Sequence, residues 1–280
     1  MDVYSQLEAR GGVSSARSLI AAGVARDDVR RALAAGAILR VRHGVYGLGR
    51  AAPVVLLAAA HGGAVACVSA LALAGVWILG DHSLHVWLGP KGRKHPHDGC
   101  HCVDHHDGEH SGFGVVSVER ALIQAARCVG AECFFVAFES AWRLGLVSAS
   151  DRASIRSALP ARLRRLVDIA RPDADSGLES LLRLRLGELG IRLDCQVWID
   201  GVGRVDFVLA GRIILEVDGR LNHDGPSLRH KDLLRDATAA AAGLETLRFD
   251  YALVVHSWPL VEAAILARLS ATAPKLQEQL

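Results

Sequence analysis

Arg204-Val205-Asp206-Phe207-Val208-Leu209-Ala210-Gly211-Arg212-Ile213-Ile214-Leu215-Glu216-Val217-Asp218-Gly219 is the stretch whose reading decides the fold. Two runs rich in Val, Ile, Leu and Phe flank Ala210-Gly211, so the segment reads as two strands joined by a tight turn and returning antiparallel. That pairing sets Asp206 within about a residue or two of Glu216. Side chains alternate along a strand, so Glu216 and Asp218 share one face while Leu215 and Val217 point into a core. Three carboxylates are therefore expected to meet at one sheet edge. Left empty and desolvated they would repel one another, and their natural partner is a hard divalent cation. Oxygen ligands of this kind suit Mg2+, which could position water and stabilise charge on a phosphodiester.

Outward from this hairpin, the pattern predicts a helix over Ser176–Leu189 ending at Gly190, and a strand over Cys195–Ile199. Beyond it come a helix over Lys231–Ala242, a strand over Glu245–Phe249 and a helix over Pro259–Leu269. The order over residues 173–280 is α-β-β-β-α-β-α. Glu179, at the start of its helix, is either a fourth acid of the cluster or a solvated acid favoured by the helix dipole. His223 titrates near neutrality and suits general acid or base work. Arg229, Lys231 and Arg235 could hold phosphates or offset the acids, with Lys231 and Arg235 on one helix face.

Glu179, Val205-Asp206-Phe207, Glu216-Val217-Asp218-Gly219, His223, Asp232-x-x-Arg235-Asp236 and Leu247-Arg248-Phe249 occur in an order that resembles the Vsr-like endonuclease domains. These are relatives of very-short-patch-repair endonucleases in the PD-(D/E)xK superfamily, and the resemblance covers roughly residues 173–270. It implies a restriction-endonuclease-like fold with a metal bound by Asp206 and Glu216, Glu179 and Asp218 close by, and His223 assisting proton transfer. One position departs from the superfamily pattern. Asp218 stands where Glu-x-Lys would place a lysine, a residue that the Vsr-like branch also lacks, and Lys231 is the candidate substitute.

Residues 1–50 carry three short helical patterns followed by an alternating ribbon. Gly11-Gly12 closes the first, Ser14 or Ser15 caps the second before Gly23, and Asp27-Asp28 open the third, which stops at Gly36. Ile38 to Tyr46 alternates apolar and basic residues and turns at His43-Gly44, as the wing of a winged helix-turn-helix does. Arg26, Arg30 and Arg31 on the third helix, with Arg40, Arg42 and His43 on the wing, are the expected DNA-backbone contacts. The run from Val13 through Leu33 to Arg42, Gly44, Val45 and Tyr46 resembles the N-terminal winged helix of AbiEi-type antitoxins. Those proteins are transcriptional repressors, so the resemblance implies operator binding.

Residues 51–172 read as a middle α/β domain without chemistry of its own. The stretch from Ala51 to Gly80 contains no Asp, Glu, Lys or Arg and is long enough to span a bilayer, but His61-Gly62-Gly63 interrupt it. A helix, a turn, a short strand and a second helix are expected there instead. A strand is expected at Leu84–Leu88, a turn at Pro90–Lys94, and helices at Ser117–Cys128 and Cys133–Leu144. His95, His97, Cys100, His101, Cys102, His105, His106 and His110 crowd one segment and are side chains that zinc prefers. No Cys-x-x-Cys occurs among them, so the expectation is a solvent-facing hairpin rich in His with Cys100 and Cys102 on one strand face.

The chain has 280 residues, 51% of them hydrophobic, and a formal net charge of +2, so attraction to a polyanion must rest on local patches. Six Cys and a start without an apolar leader favour free thiols in a cytoplasmic setting. The α/β reading of the whole is a metal-dependent DNA endonuclease targeted by a winged helix, with DNA as partner and no membrane association. The alternative is a non-catalytic, DNA-binding regulator of antitoxin type with a degenerate nuclease fold. A toxin or other protein partner and a homodimer are compatible with either.

Overall fold

The structure is a computed structural model that describes residues 2–95, 97, 99–108, 112–218 and 226–272, the side chains of 226–232 and 272 excepted. It is mixed α/β, and the chain folds as two compact units, 1–169 and 170–280.

The first unit opens with α1 (Val3–Glu8), β1 (Val13–Ser15), α2 (Ala16–Ala21), α3 (Arg26–Ala34), β2 (Leu39–Arg42) and β3 (Val45–Gly47). Asp2 caps α1 by accepting from Ser5 N, and Ser15 caps α2 by accepting from Ser18 N. The three strands form an antiparallel sheet in the order β1-β3-β2. Val3, Leu7, Leu19, Val24, Val29, Ile38 and Leu48 pack into one core that binds the three helices to the ribbon.

The same unit continues through α4 (Pro53–His61), β4 (Ala64–Val65), α5 (Cys67–Leu73), β5 (His85–Trp87), β6 (Val103–His105), α6 (Val118–Cys128), α7 (Ala131–Arg143), α8 (Ala149–Ala158) and α9 (Ala161–Ile169). Gly62-Gly63 break the long apolar stretch as expected, and among the described residues no helix is long and apolar enough to cross a membrane. The sheet order is β4-β5-β6, with β4 antiparallel and β6 parallel to β5. The His/Cys segment is therefore not a hairpin: β6 begins only at Val103, and Cys100 and Cys102 lie in the chain that leads into it. The apolar face of α7 anchors this region, with Phe134, Phe135 and Phe138 fully buried.

The second unit consists of α10 (Gly177–Glu188), β7 (Asp194–Ile199), β8 (Gly203–Leu209), β9 (Ile213–Asp218), α11 (Pro226–Ala241), β10 (Glu245–Asp250), α12 (Tyr251–His256) and α13 (Trp258–Thr272). The sheet order is β10-β9-β8-β7; β7, β8 and β9 are antiparallel neighbours and β10 is parallel to β9. A parallel return needs a crossover, and α11 supplies it. The expected element order is present with α12 in addition. Ala210 (φ +51°) and Gly211 (φ +68°) make the tight turn of the deciding hairpin, closed by Arg212 N donating to Leu209 O at 3.2 Å. Leu178, Leu181 and Leu182 are fully buried and aim the first turn of α10 into the unit.

Candidate functional site

Asp206 stands where the β8–β9 ladder ends. The pairing runs through Leu209↔Ile213, Val208↔Ile214 and Phe207↔Leu215, and one residue further on the Asp206 side chain takes the place of a ladder bond: its Oδ2 accepts from Val217 N at 2.9 Å. Burial pushes the Asp206 carboxyl above its ordinary range, the Val217 amide opposes that shift, and the charges of Glu216 and Asp218 add to it.

On the other neighbour of β8, the pairs Cys195↔Phe207 and Val197↔Val205 bracket Gln196, which adopts φ +53° opposite Asp206. Such a local kink re-aims a side chain, and here Gln196 Nε2 donates to Glu179 Oε2 at 2.7 Å. Glu179 is only 4% exposed, and its carboxylate also accepts from Asp175 N at 3.0 Å and Ser176 Oγ at 2.9 Å. Burial and the nearby Asp206 charge raise it to about 7 despite those donors. Gln196 Oε1 is buried with no hydrogen-bond partner among the described residues. Glu179, Asp206 and Gln196 thus concentrate oxygen atoms and negative potential at one place.

Glu216 has a different environment. Its Oε1 accepts from Arg235 at 3.0 Å and its Oε2 from Arg248 at 2.8 Å. Arg248 lies beside it on β10 in register and also holds Asp236 through two bonds of 2.6 Å, which keeps Asp236 below its usual range. Arg235, expected as a phosphate contact, instead spends its guanidinium on Val202 O, Arg204 O and Glu216. Glu179, Asp206, Glu216 and Asp218 are not among the groups of three or more whose ligand atoms all lie within 4.8 Å of one another among the described residues. Asp206, Glu216 and Asp218 thus interact across the end of β8 and β9 without forming such a group, and two guanidinium groups compensate Glu216. His223 lies outside the described residues, and Arg229 and Lys231 stand on α11 with side chains outside the described set.

In the first unit, Arg26, Arg30 and Arg31 are exposed on α3, the latter two in surface ion pairs with Asp27 and Asp28. A cleft of about 600 Å³ brings Arg26 and Arg30 together with Arg17 of α2 and Tyr46 of β3. Arg17 is an addition to the expected set, because nothing in its own helix marks it. Arg40 and His43 are exposed on the ribbon. Arg42 is not available in the same way: it donates to Ala59 O at 3.1 Å, lies 5.7 Å from the Phe113 ring centroid, and loses basicity through burial.

No protein-family model matches this chain, and no curated protein matches it in sequence.

Two groups of soft ligands do assemble in the first unit: His61, His97, Cys100 and Cys102, and Cys67, His85, His105 and Cys128. Within each group the ligand atoms lie within 4.8 Å of one another. This overturns the expectation that the His/Cys segment merely faces solvent, and its chemistry is that of a transition metal and not of Mg2+. Sequence reasoning misses His61, Cys67, His85 and Cys128 because they sit far from the crowded segment along the chain. The spacing His97-x-x-Cys100, closed by Cys100 N donating to His97 O at 3.0 Å, is the available signal.

Proposed function

We propose that the chain is a DNA-binding protein whose second unit hydrolyses phosphodiester bonds with Mg2+, that is, an endodeoxyribonuclease. The observation that carries this reading is the oxygen set around Asp206. A buried Asp and Glu, both raised, and an amide oxygen without a partner are a donor set suited to a hard cation. Asp206 and Glu216 would hold the ion, Glu216 by exchanging Arg235 and Arg248 for it, with Glu179 close to Asp206. Bound there, Mg2+ supplies charge stabilisation and an acidified water. Glu179, with its proton affinity near neutrality, can take or return a proton at its carboxylate. The order α1-β1-α2-α3-β2-β3 is that of a winged helix, and Arg17, Arg26, Arg30, Arg31 and Arg40 offer exposed charge for a DNA backbone.

One observation favours a second reading, a DNA-binding regulator of antitoxin type without turnover: Glu216 already has two guanidinium partners and needs no metal to neutralise it. Incubation of supercoiled plasmid with the full chain separates the two. Hydrolysis is expected with Mg2+ and not with EDTA, and Asp206→Asn is expected to lower the rate by about 10²-fold or more. Binding to DNA without cleavage under Mg2+ or Mn2+ would leave only the regulator.

A further inference from the structure

We propose that His61, His97, Cys100 and Cys102 form a tetrahedral Zn2+ site that staples the chain between β5 and β6. Residues 88–102 have no helix or strand among those described, and the sheet they interrupt has strands of two or three residues. Neither is stable alone in water, and long structureless connections inside a folded unit call for a special constraint.

The ligands come from two directions. His61 ends α4 and is 2% exposed, and His97, Cys100 and Cys102 come from the chain that leads into β6. His61 Nδ1 lies 3.2 Å from Cys100 Sγ, while its Nε2 meets Asp104 Oδ1 at 2.8 Å. The carboxylate fixes the imidazole proton on Nε2 and leaves Nδ1 as the ligand atom, the carboxylate–histidine arrangement of zinc centres. With Zn–S of about 2.3 Å and Zn–N of about 2.0 Å, a tetrahedron has an N···S edge of about 3.5 Å, within a few tenths of an ångström of the His61–Cys100 separation. Two thiols release their protons to solvent on binding, so two thiolates balance the metal charge, and Lys94 Nζ, 3.7 Å from Asp104 Oδ2, balances the carboxylate. Glycine is required around this end of α4. A Cβ on Gly62 would meet Arg93 O at 2.6 Å, and one on Gly63 would meet Trp87 O at 2.1 Å. Those close approaches let His95 N donate to His61 O at 2.7 Å and hold the connection against the helix end.

A second site is carried by independent geometry. Successive residues of a strand point to opposite faces, and β6 places Asp104 beside His61 but His105 beside His85. His85 Nδ1 is 3.0 Å from His105 Nε2 and 3.8 Å from Cys128 Sγ, and the buried Cys67 closes the group. Four elements, α5, β5, β6 and α6, each contribute one ligand, so a metal here would tie the sheet to both helices.

Zinc content of the full chain, purified without chelator and desalted, tests both sites. About two zinc ions per chain are expected, falling to about one in Cys100→Ser and to about one in Cys128→Ser. Unchanged content in either variant overturns the corresponding site. Should a variant fail to fold, Co2+ added to the metal-stripped wild type serves instead: a thiolate-to-cobalt charge-transfer band with intense tetrahedral d–d bands supports the proposal, and an octahedral spectrum contradicts it. Cys100, His61 and Asp104 also have the connectivity of a nucleophile, base and orienting acid. Rapid alkylation of Cys100 in a zinc-free chain would assign that role and overturn the first site. A Cys67–Cys128 disulfide in chain isolated under reducing conditions would overturn the second.

Discussion

Glu179 shows at residue scale how a folded chain stores a charge cost for later use. Its carboxyl is raised to about 7 from an ordinary 4.5, so between those values the folded chain keeps a proton that the unfolded chain has released. Stability contributed this way is present at low pH and is lost as pH rises through that window, by about 3 kcal/mol in all. Glu179→Gln is expected to remove this slope and to be more stable than the parent at pH 8, by urea unfolding at several pH values. The amide fits the existing partners, since one oxygen can accept from Asp175 N and Gln196 Nε2 while the new NH2 donates to Ser176 Oγ. An unchanged pH slope in the variant would show that Glu179 is not the group responsible.

Among the elements, the β8–β9 hairpin combines a strained turn with a strong core. Ala210 occupies the left-handed region where Asn or Gly is preferred, at the first position of a two-residue turn followed by Gly211. Ala210→Asn is expected to stabilise the second unit by about 0.5–1 kcal/mol, read as a shift of the denaturation midpoint at constant slope. On the same hairpin Leu215 is fully buried, and Leu215→Ala is expected to cost about 2–5 kcal/mol in the same measurement. This hairpin, its flanking helices and the parallel strand after α11 are legible in the sequence because alternation and Gly turns are local signals. Less legible is β1, three residues long and defined only by Val13, Ser14 and Ser15 pairing with β3. Helices α8 and α9 escape the sequence reading even though Ser148 and Asp151 form a capping box that marks the first of them. The acids themselves follow from spacing, but Glu216 pairing with Arg235 and Arg248 depends on β10 and α11 folding over β9. The soft-ligand groups are legible only in part, through His97, Cys100, Cys102 and His105, because His61 and Cys67 meet these partners only once the β4-β5-β6 sheet has formed.

For the whole molecule, a net charge of +2 gives no long-range pull toward DNA, so the proposed DNA binding would rest on the exposed arginines of the first unit. The ion pairs of Arg30 and Arg31 with Asp27 and Asp28 are exposed and contribute little, which leaves both guanidinium groups able to exchange partners for phosphates. An Arg26→Ala, Arg30→Ala double variant is expected to weaken duplex binding equally across sequences and to reduce the salt dependence by about one unit of slope for each phosphate no longer neutralised. Fluorescence anisotropy over a salt series measures both, and an unaltered slope would place the DNA-binding face elsewhere. The proposed hydrolysis, by contrast, depends on whether the acids of the second unit retain a cation. Calorimetric titration of Mg2+ into the wild-type chain and into Asp206→Asn at pH 8 addresses this without requiring the DNA target. Saturable binding by the wild type that disappears in the variant is the expected result. Heats of dilution alone from both, or identical binding by both, would contradict a metal held at Asp206.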